Sequence, residues 1–381
     1  MLAALALAVD TADDLVLTTV RGVHTAVAAR GHGLLRPVTG RPGRVVERVH
    51  AGVTGGVYDG LGLAVRGVAA ALRTLDRRGH GAAVEGTRRG RVVVSTVNGF
   101  VGDRLAEQRS DLAIDLGVRH GGEDVPLHPG SLRAAFPDAG GDLVVFVHGL
   151  AESDEHWERR AARSGGGYGT RLAADAGWTP VYLRVNTGLP VLTNGSRLAT
   201  LLDRLVLDWP VDVRRIVLVG HSMGGLVVRA ACAVAPPPQH RWPALVTDVV
   251  TLGTPHLGAP LERAVASGAR ALGVFPESAP FARLLDQRSP GILDLRRGLP
   301  PDVVNLPHAR YRLVAATLAT SRRHPVSLAL GDLLVGYGSA TGRTSRGPGL
   351  FPGAEVLHVR GDHFGLLDHP EVHEALARWL R

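Results

Sequence analysis

At 381 residues, 45% hydrophobic and 20% charged, the chain can bury a large core, which excludes an intrinsically disordered protein. The formal charge is +8, but all 43 basic residues are arginines scattered without a long basic run, and aromatic residues make up only 4%. This describes a solvated surface, so no nucleic-acid partner is expected, and the single cysteine, Cys232, excludes a disulfide framework and a cysteine-based metal site.

Residues 1–9 are apolar but lack a basic start, and Asp10, Asp13 and Asp14 follow without a small-residue cleavage site. They read as the start of a helix and not as a secretory signal. Val16, Val20, Val23 and Val27 recur at helical spacing, as do Val49, Val53, Val57, Leu61, Val68, Leu72 and Leu75, on either side of a Gly/Pro/Arg loop at 31–43. Residues 1–90 are therefore expected to form an N-terminal helical extension. Its stripes would pack on the main domain or a partner subunit, with a lipid-facing or substrate-shielding helix pair as the alternative. The glycine-rich stretch at 79–90 suits a linker. No run of about 18 apolar residues occurs, so no bilayer-spanning segment is predicted.

Residues 91–97 read as a strand and 98–103 as a turn into a short helix. A strand at 112–119, a glycine-rich turn at 120–124 and a return strand at 125–127 suggest an antiparallel hairpin. Apolar strands follow at 143–147, 181–185, 216–219, 246–252, 310–316 and 355–359. Helical stretches lie between them, notably 194–208, and 371–380 closes the chain as a helix. Repeated crossovers of this length predict an α/β domain over 91–381, with about eight mostly parallel strands and flanking helices. The connection from Leu252 to Arg310 is too long for a structureless loop, so a helical cap is expected over 256–309. Leu272, Phe275, Phe281, Leu284 and Leu285 would face an acyl chain or pack the cap onto the sheet.

Gly220-His221-Ser222-Met223-Gly224 fits G-x-S-x-G and sits between an apolar strand and an Ala-rich helical stretch. A strand that reverses at once into a helix holds its central residue under strain, and glycines make room for it. Ser222 is therefore the candidate nucleophile, with a helix N-terminus beside it to favour a developing oxyanion. Serine needs a base and an orienting acid. Of 17 histidines, His363 stands out because it follows the last strand, at the sheet edge where parallel α/β folds gather ligands. His358, His369 and His373 read as surface residues, and His221 as a local packing or hydrogen-bonding residue. Asp332 gives the chain order Ser222, Asp332, His363 expected of this motif, whereas Asp362 adjoins the base too closely to turn onto it. For the oxyanion, the Met223 N–H supplies one donor and the Leu150 N–H the second, with Gly149 keeping the approach open. His148 reads as a hydrogen-bonded scaffold. Glu152, Asp154 and Trp157 either shape the mouth or are ordinary loop residues.

Phe146-Val147-His148-Gly149-Leu150, the stretch from Val219 to Val227, and Thr251-Leu252-Gly253-Thr254-Pro255-His256 together resemble the α/β-hydrolase superfamily. Within it they are most similar to the lipase/esterase branch that includes the GPI inositol-deacylase-like (PGAP1-like) proteins. The resemblance covers residues 110–381 and implies cleavage of carboxylic esters through an acyl-enzyme, with no metal and no cofactor. The N-terminal helices have no counterpart in that family core, and the membrane spans of the eukaryotic deacylases are absent. The expected substrate is a small-molecule or lipid ester, and the expected location is cytoplasmic, with peripheral contact at a lipid interface left open. Acyl transfer or thioester cleavage on the same site, and a non-catalytic binding protein of the same fold, are the alternatives. Oligomeric state is not readable from the sequence.

Overall fold

A computed structural model describes residues 85, 87–108, 110–158, 165–234, 241–259, 289–300, 303–321, 324, 327, 331–343 and 349–381. The valine stripes of 1–84 and most of the cap, including Leu272, Phe275, Phe281, Leu284 and Leu285, lie outside the described residues. The chain divides into two compact units, one of 85–109, 113–260 and 289–381, the other of 1–84, 110–112 and 261–288. In the latter the described residues, 110–112, lead into a turn.

Strands form where the apolar runs are. They are β1 (Gly117–His120), β2 (Glu123–Val125), β3 (Asp142–Val147), β4 (Thr179–Arg184), β5 (Arg215–His221), β6 (Val246–Leu252), β7 (Arg310–Thr317) and β8 (Glu355–Arg360). The sheet order is β2-β1-β4-β3-β5-β6-β7-β8. β1 runs antiparallel to β2 and β4, and every other pairing is parallel. Gly121 and Gly122 turn the leading hairpin at φ 59° and 84°, the left-handed values a two-residue connection needs. This is the α/β-hydrolase architecture.

The strand expected at 91–97 is a helix: these residues belong to α1 (Arg88–Glu107), whose first turn is capped by the Thr87 hydroxyl accepting from the Gly90 N–H at 3.1 Å. The break expected at 98–103 survives as a kink at Val101, φ −136° and ψ 17°, between two helical stretches. Val92, Val93 and Val94 imitate a strand, and Gly99 and Gly102 flank the kink. The glycines are there because α1 passes directly against Ala151 and Asn186, leaving no room for a Cβ. The strand expected at 112–119 shrinks to β1, since the Ile114 N–H is taken by the Asn98 side chain of α1 at 2.9 Å. The return strand shifts to β2 because Pro126 has no N–H to offer a ladder.

Among the described residues the other α-helices are α2 (Pro129–Ala135), α3 (Tyr168–Ala176), α4 (Val191–Asp208), α5 (Met223–Ala233), α6 (Trp242–Leu245), α7 (Pro290–Arg297), α8 (Tyr337–Ala340) and α9 (Pro370–Trp379). On one sheet face Phe146, Val219, Val250, Val314 and Val359 meet Tyr168, Leu172, Trp178 and Leu376 in a continuous core. α5 lies against β3, β5 and β6, with α4 packed on it. Gly195 of α4 comes so close to Ala230 that no side chain fits between the two helices. The helix after the elbow is thereby buried along almost its whole length, which fixes where its first turn points.

Candidate active site

β5 ends at His221 and α5 begins at Met223, so Ser222 alone makes the turn. It takes φ 51° and ψ −122°, a conformation that costs a β-carbon-bearing residue about 1–3 kcal/mol. Its N–H donates to the Leu252 carbonyl at 2.8 Å and its carbonyl accepts the Gly225 N–H at 3.1 Å. A Cβ at Gly220 would strike the backbone of Gly225, and one at Gly224 would strike the carbonyl oxygens of Val147 and His148. The motif glycines therefore let the elbow helix start against the end of β3.

β3 lies beside β5, with Val147 opposite Gly220. The following loop reaches the serine, since a Cβ built on Gly149 would stand 3.0 Å from the Ser222 Cβ. His148 is buried in this loop. Its Nε2 accepts the Val185 N–H at 3.0 Å, so Nδ1 carries the proton and donates to the Gly149 carbonyl at 2.9 Å. Burial pushes its pKa down to about 4, keeping the ring neutral. The Gly149 N–H donates to Glu152 at 2.7 Å and the Ala151 N–H to the Thr187 hydroxyl at 3.1 Å. The Leu150 N–H stands between these two committed donors, and Ala151 turns the chain at φ 59°. Across the gap, the Met223 N–H is in the first turn of α5, where a helix leaves its N–H groups without internal partners.

His363 follows β8 and opens a 3-10 turn, His363–Asp368. Its Nδ1 donates to Asp332 Oδ2 at 2.8 Å, and its backbone N–H donates to the Asp332 carbonyl at 3.0 Å. The other oxygen of Asp332 accepts the N–H groups of Leu334 at 3.0 Å and Val335 at 2.7 Å, so the carboxylate is oriented by its own turn. That turn is tight: Gly331 sits at φ 56° and Leu333 at φ 89°. Asp362 caps the 3-10 turn by accepting the Gly365 N–H at 2.9 Å. Tyr168 of α3 holds the far end, donating to the Leu366 carbonyl at 2.8 Å and accepting the His369 N–H at 2.7 Å. Burial works to lower the His363 pKa, but Asp332, then Glu152 and Asp362, outweigh it and hold the pKa above the ordinary histidine value.

His363 also lies near the end of β6, where a Cβ on Gly253 would meet its Nδ1 at 3.1 Å. Its ring centroid is 4.8 Å from that of His221, the residue before Ser222. The structure thus gathers Ser222, Asp332, His363 and the Leu150 and Met223 backbone at the carboxyl edge of one sheet. His358, His369 and His373, expected on the surface, are half-buried: His358 bonds to the Thr317 hydroxyl at 2.7 Å, His369 to the Arg360 carbonyl at 3.2 Å and His373 to Asp175 at 3.4 Å. Among the described residues, no group of three or more His, Cys, Asp or Glu is placed to hold a metal ion.

Three loop residues left undecided by the sequence are all buried here. Glu152 pairs with His221, Asp154 lies 3.6 Å from Arg119, and Trp157 packs on Phe146 with ring centroids 4.9 Å apart. Burial would raise the Glu152 pKa, but His221, His156 and the Gly149 N–H hold it down to about 2. Only an acidic residue two places after His-Gly-Leu hinted at this partnership, because its histidine is 69 positions away.

Residues 138–274 match the family model described as "Putative serine esterase (DUF676)". Comparison with curated proteins gives no match. Among solved structures the chain is similar to the lipase BlEst2 of Bacillus licheniformis at 21% identity, covering 63% of this chain and 91% of that one, with a TM-score of 0.39. It is also similar to the esterase Pf2001 of Pyrococcus furiosus at 15% identity, covering 63% and 83%, with a TM-score of 0.38. A thermophilic esterase from Thermogutta terrifontis is 16% identical, with coverage of 64% and 90% and a TM-score of 0.39. The fold itself rests on the strand order given above. No described helix is long and apolar enough to cross a membrane.

Proposed function

We propose that the protein is a serine hydrolase that cleaves carboxylic esters through an acyl-enzyme, with Ser222 as nucleophile, His363 as base and Asp332 as the orienting acid. The observation that carries this reading is the strained serine at a strand-to-helix turn, on the same sheet edge as a buried His363–Asp332 hydrogen bond of 2.8 Å. With Nδ1 donating to Asp332, Nε2 of His363 is the nitrogen left to take a proton. Ser222 Oγ attacks the ester carbonyl as its proton passes to Nε2. The oxyanion is held by the N–H groups of Leu150 and Met223, and the protonated ring then gives its proton to the departing alcohol. Water repeats the sequence to release the acid, while Asp332 stabilises the imidazolium.

Within the superfamily, the three sequence motifs favour the lipase/esterase branch that includes the GPI inositol-deacylase-like proteins. We place the substrate among small-molecule or lipid esters. Hydrolysis of p-nitrophenyl esters is the direct test: Ser222→Ala is expected to lower kcat by about 10³-fold or more. Turnover unchanged in that variant contradicts the reading.

A further inference from the structure

Glu152 enters the chemistry above only by helping to raise the His363 pKa, and His221 not at all, yet the two connect its components. Glu152 Oε2 accepts the Gly149 N–H at 2.7 Å and lies 2.9 Å from His221 Nδ1. His221 Nε2 lies 3.1 Å from the carbonyl oxygen of His363. A continuous line of hydrogen bonds therefore starts on the loop that carries Leu150, passes through the residue preceding Ser222, and ends on the residue that carries the base. Both side chains are buried, at 4% exposure for Glu152 and 0% for His221, and Trp157 stands edge-on to the His221 ring.

Such a pair is costly to bury, and apolar side chains of similar size would fill the space without that cost. Its hydrogen-bond bookkeeping closes nonetheless. A carbonyl only accepts, so His221 Nε2 carries a proton. The single proton between Nδ1 and the carboxylate satisfies both from either side, and the pair is neutral overall. Every link is thus made at once.

We propose that Glu152 and His221 are positioning residues which hold the Leu150 N–H and the His363 imidazole in register with Ser222, so that they govern the rate of acyl transfer and not the binding of ester. This rests on the serine-hydrolase reading above. Neither side chain reaches the reacting atoms; they act through the loops they tie together, where a shift of about 1 Å costs on the order of 100-fold in rate.

Glu152→Gln breaks the line at nearly constant volume. If its amide oxygen keeps both the Gly149 N–H and His221 Nδ1, the doubly protonated ring loses its counter-charge; if the amide nitrogen turns to His221, the Gly149 bond is lost. His221→Gln cuts it from the other side. The experiment measures kcat and KM for p-nitrophenyl butyrate, the rate of labelling by a fluorophosphonate, and the thermal midpoint, for the full chain and both variants, with Ser222→Ala alongside. Both variants are expected to lose about 10- to 100-fold in kcat and in labelling rate, with KM within about twofold and a cooperative melting transition retained. Unchanged kcat in folded variants overturns the proposal, as does a loss expressed mainly in KM. Variants that fail to fold assign the pair to folding and overturn it equally. If the unmodified chain neither turns over ester nor labels, it is the hydrolase reading that fails. If it labels and Ser222→Ala does not, that reading stands whatever the two variants do.

Discussion

Ser222 occupies φ 51° and ψ −122° because the Leu252 carbonyl and the crowding around Gly220 and Gly224 leave no relaxed alternative. Strain of this kind persists only when the surroundings over-determine it. The histidine opposite carries a measurable signature. His363 must be unprotonated to act as base, and Asp332, Glu152 and Asp362 outweigh burial to hold its pKa above 6.5. A raised pKa means that more alkaline solution is needed to free Nε2, so kcat/KM should climb with pH and reach half its plateau above about 6.5. A pH–rate profile checks this, and a flat profile from about pH 5 to 8 contradicts His363 as base. At this scale the G-x-S-x-G motif in its strand–helix context, the loop after the last strand and the chain order point to Ser222, Asp332 and His363, which the structure places after β5, β7 and β8. Glu152 was not legible in this way, because its partner becomes a neighbour only when β3 and β5 pair.

Among the elements, β3 and β5 stand out as continuous apolar runs, since a parallel sheet covered on both faces needs no polar alternation, whereas the edge strand β8 carries Glu355, His358 and Arg360. β6 begins and ends where expected, at Val246 and Leu252. The first half of α1 reads as a strand for a physical reason: Ser95, Thr96 and three successive valines carry strand propensity, while its glycines serve close packing on either side of the kink at Val101. The same logic makes α5 sensitive at its first turn. A methyl group at Gly224 meets backbone oxygens, which cannot swing aside as a side chain would. Gly224→Ala is expected to destabilise the protein by about 1–3 kcal/mol and to lower kcat by displacing the Met223 N–H. Thermal melts and ester kinetics check both effects, and an unaltered melt with full activity contradicts this packing.

Over the molecule as a whole, buried histidines couple stability to acidity. Burial lowers the His148 pKa to about 4 and takes that of His256 well below 6.5. The unfolded chain therefore binds more protons than the folded one below about pH 6.5, and the stability these neutral rings contribute is lost as pH falls from there toward 4. Glu152, held at about 2, adds a second loss once pH drops below the ordinary carboxylate value of 4.5. His363 works the other way, its contribution being present below 6.5 and lost as pH rises through its folded value. Between about pH 7 and pH 4 the losses at His148 and His256, joined by His373, whose pKa is also lowered, exceed the gains at His363 and at Asp154, whose pKa is raised, so the melting temperature is predicted to fall over that range, which calorimetry measures. A midpoint constant over that range contradicts the burial of these groups.

Mass spectrometry of the fluorophosphonate-treated chain probes the nucleophile itself. A single adduct on Ser222, abolished by Ser222→Ala, is the predicted result; an adduct on another residue, or none while ester turnover continues, contradicts the account.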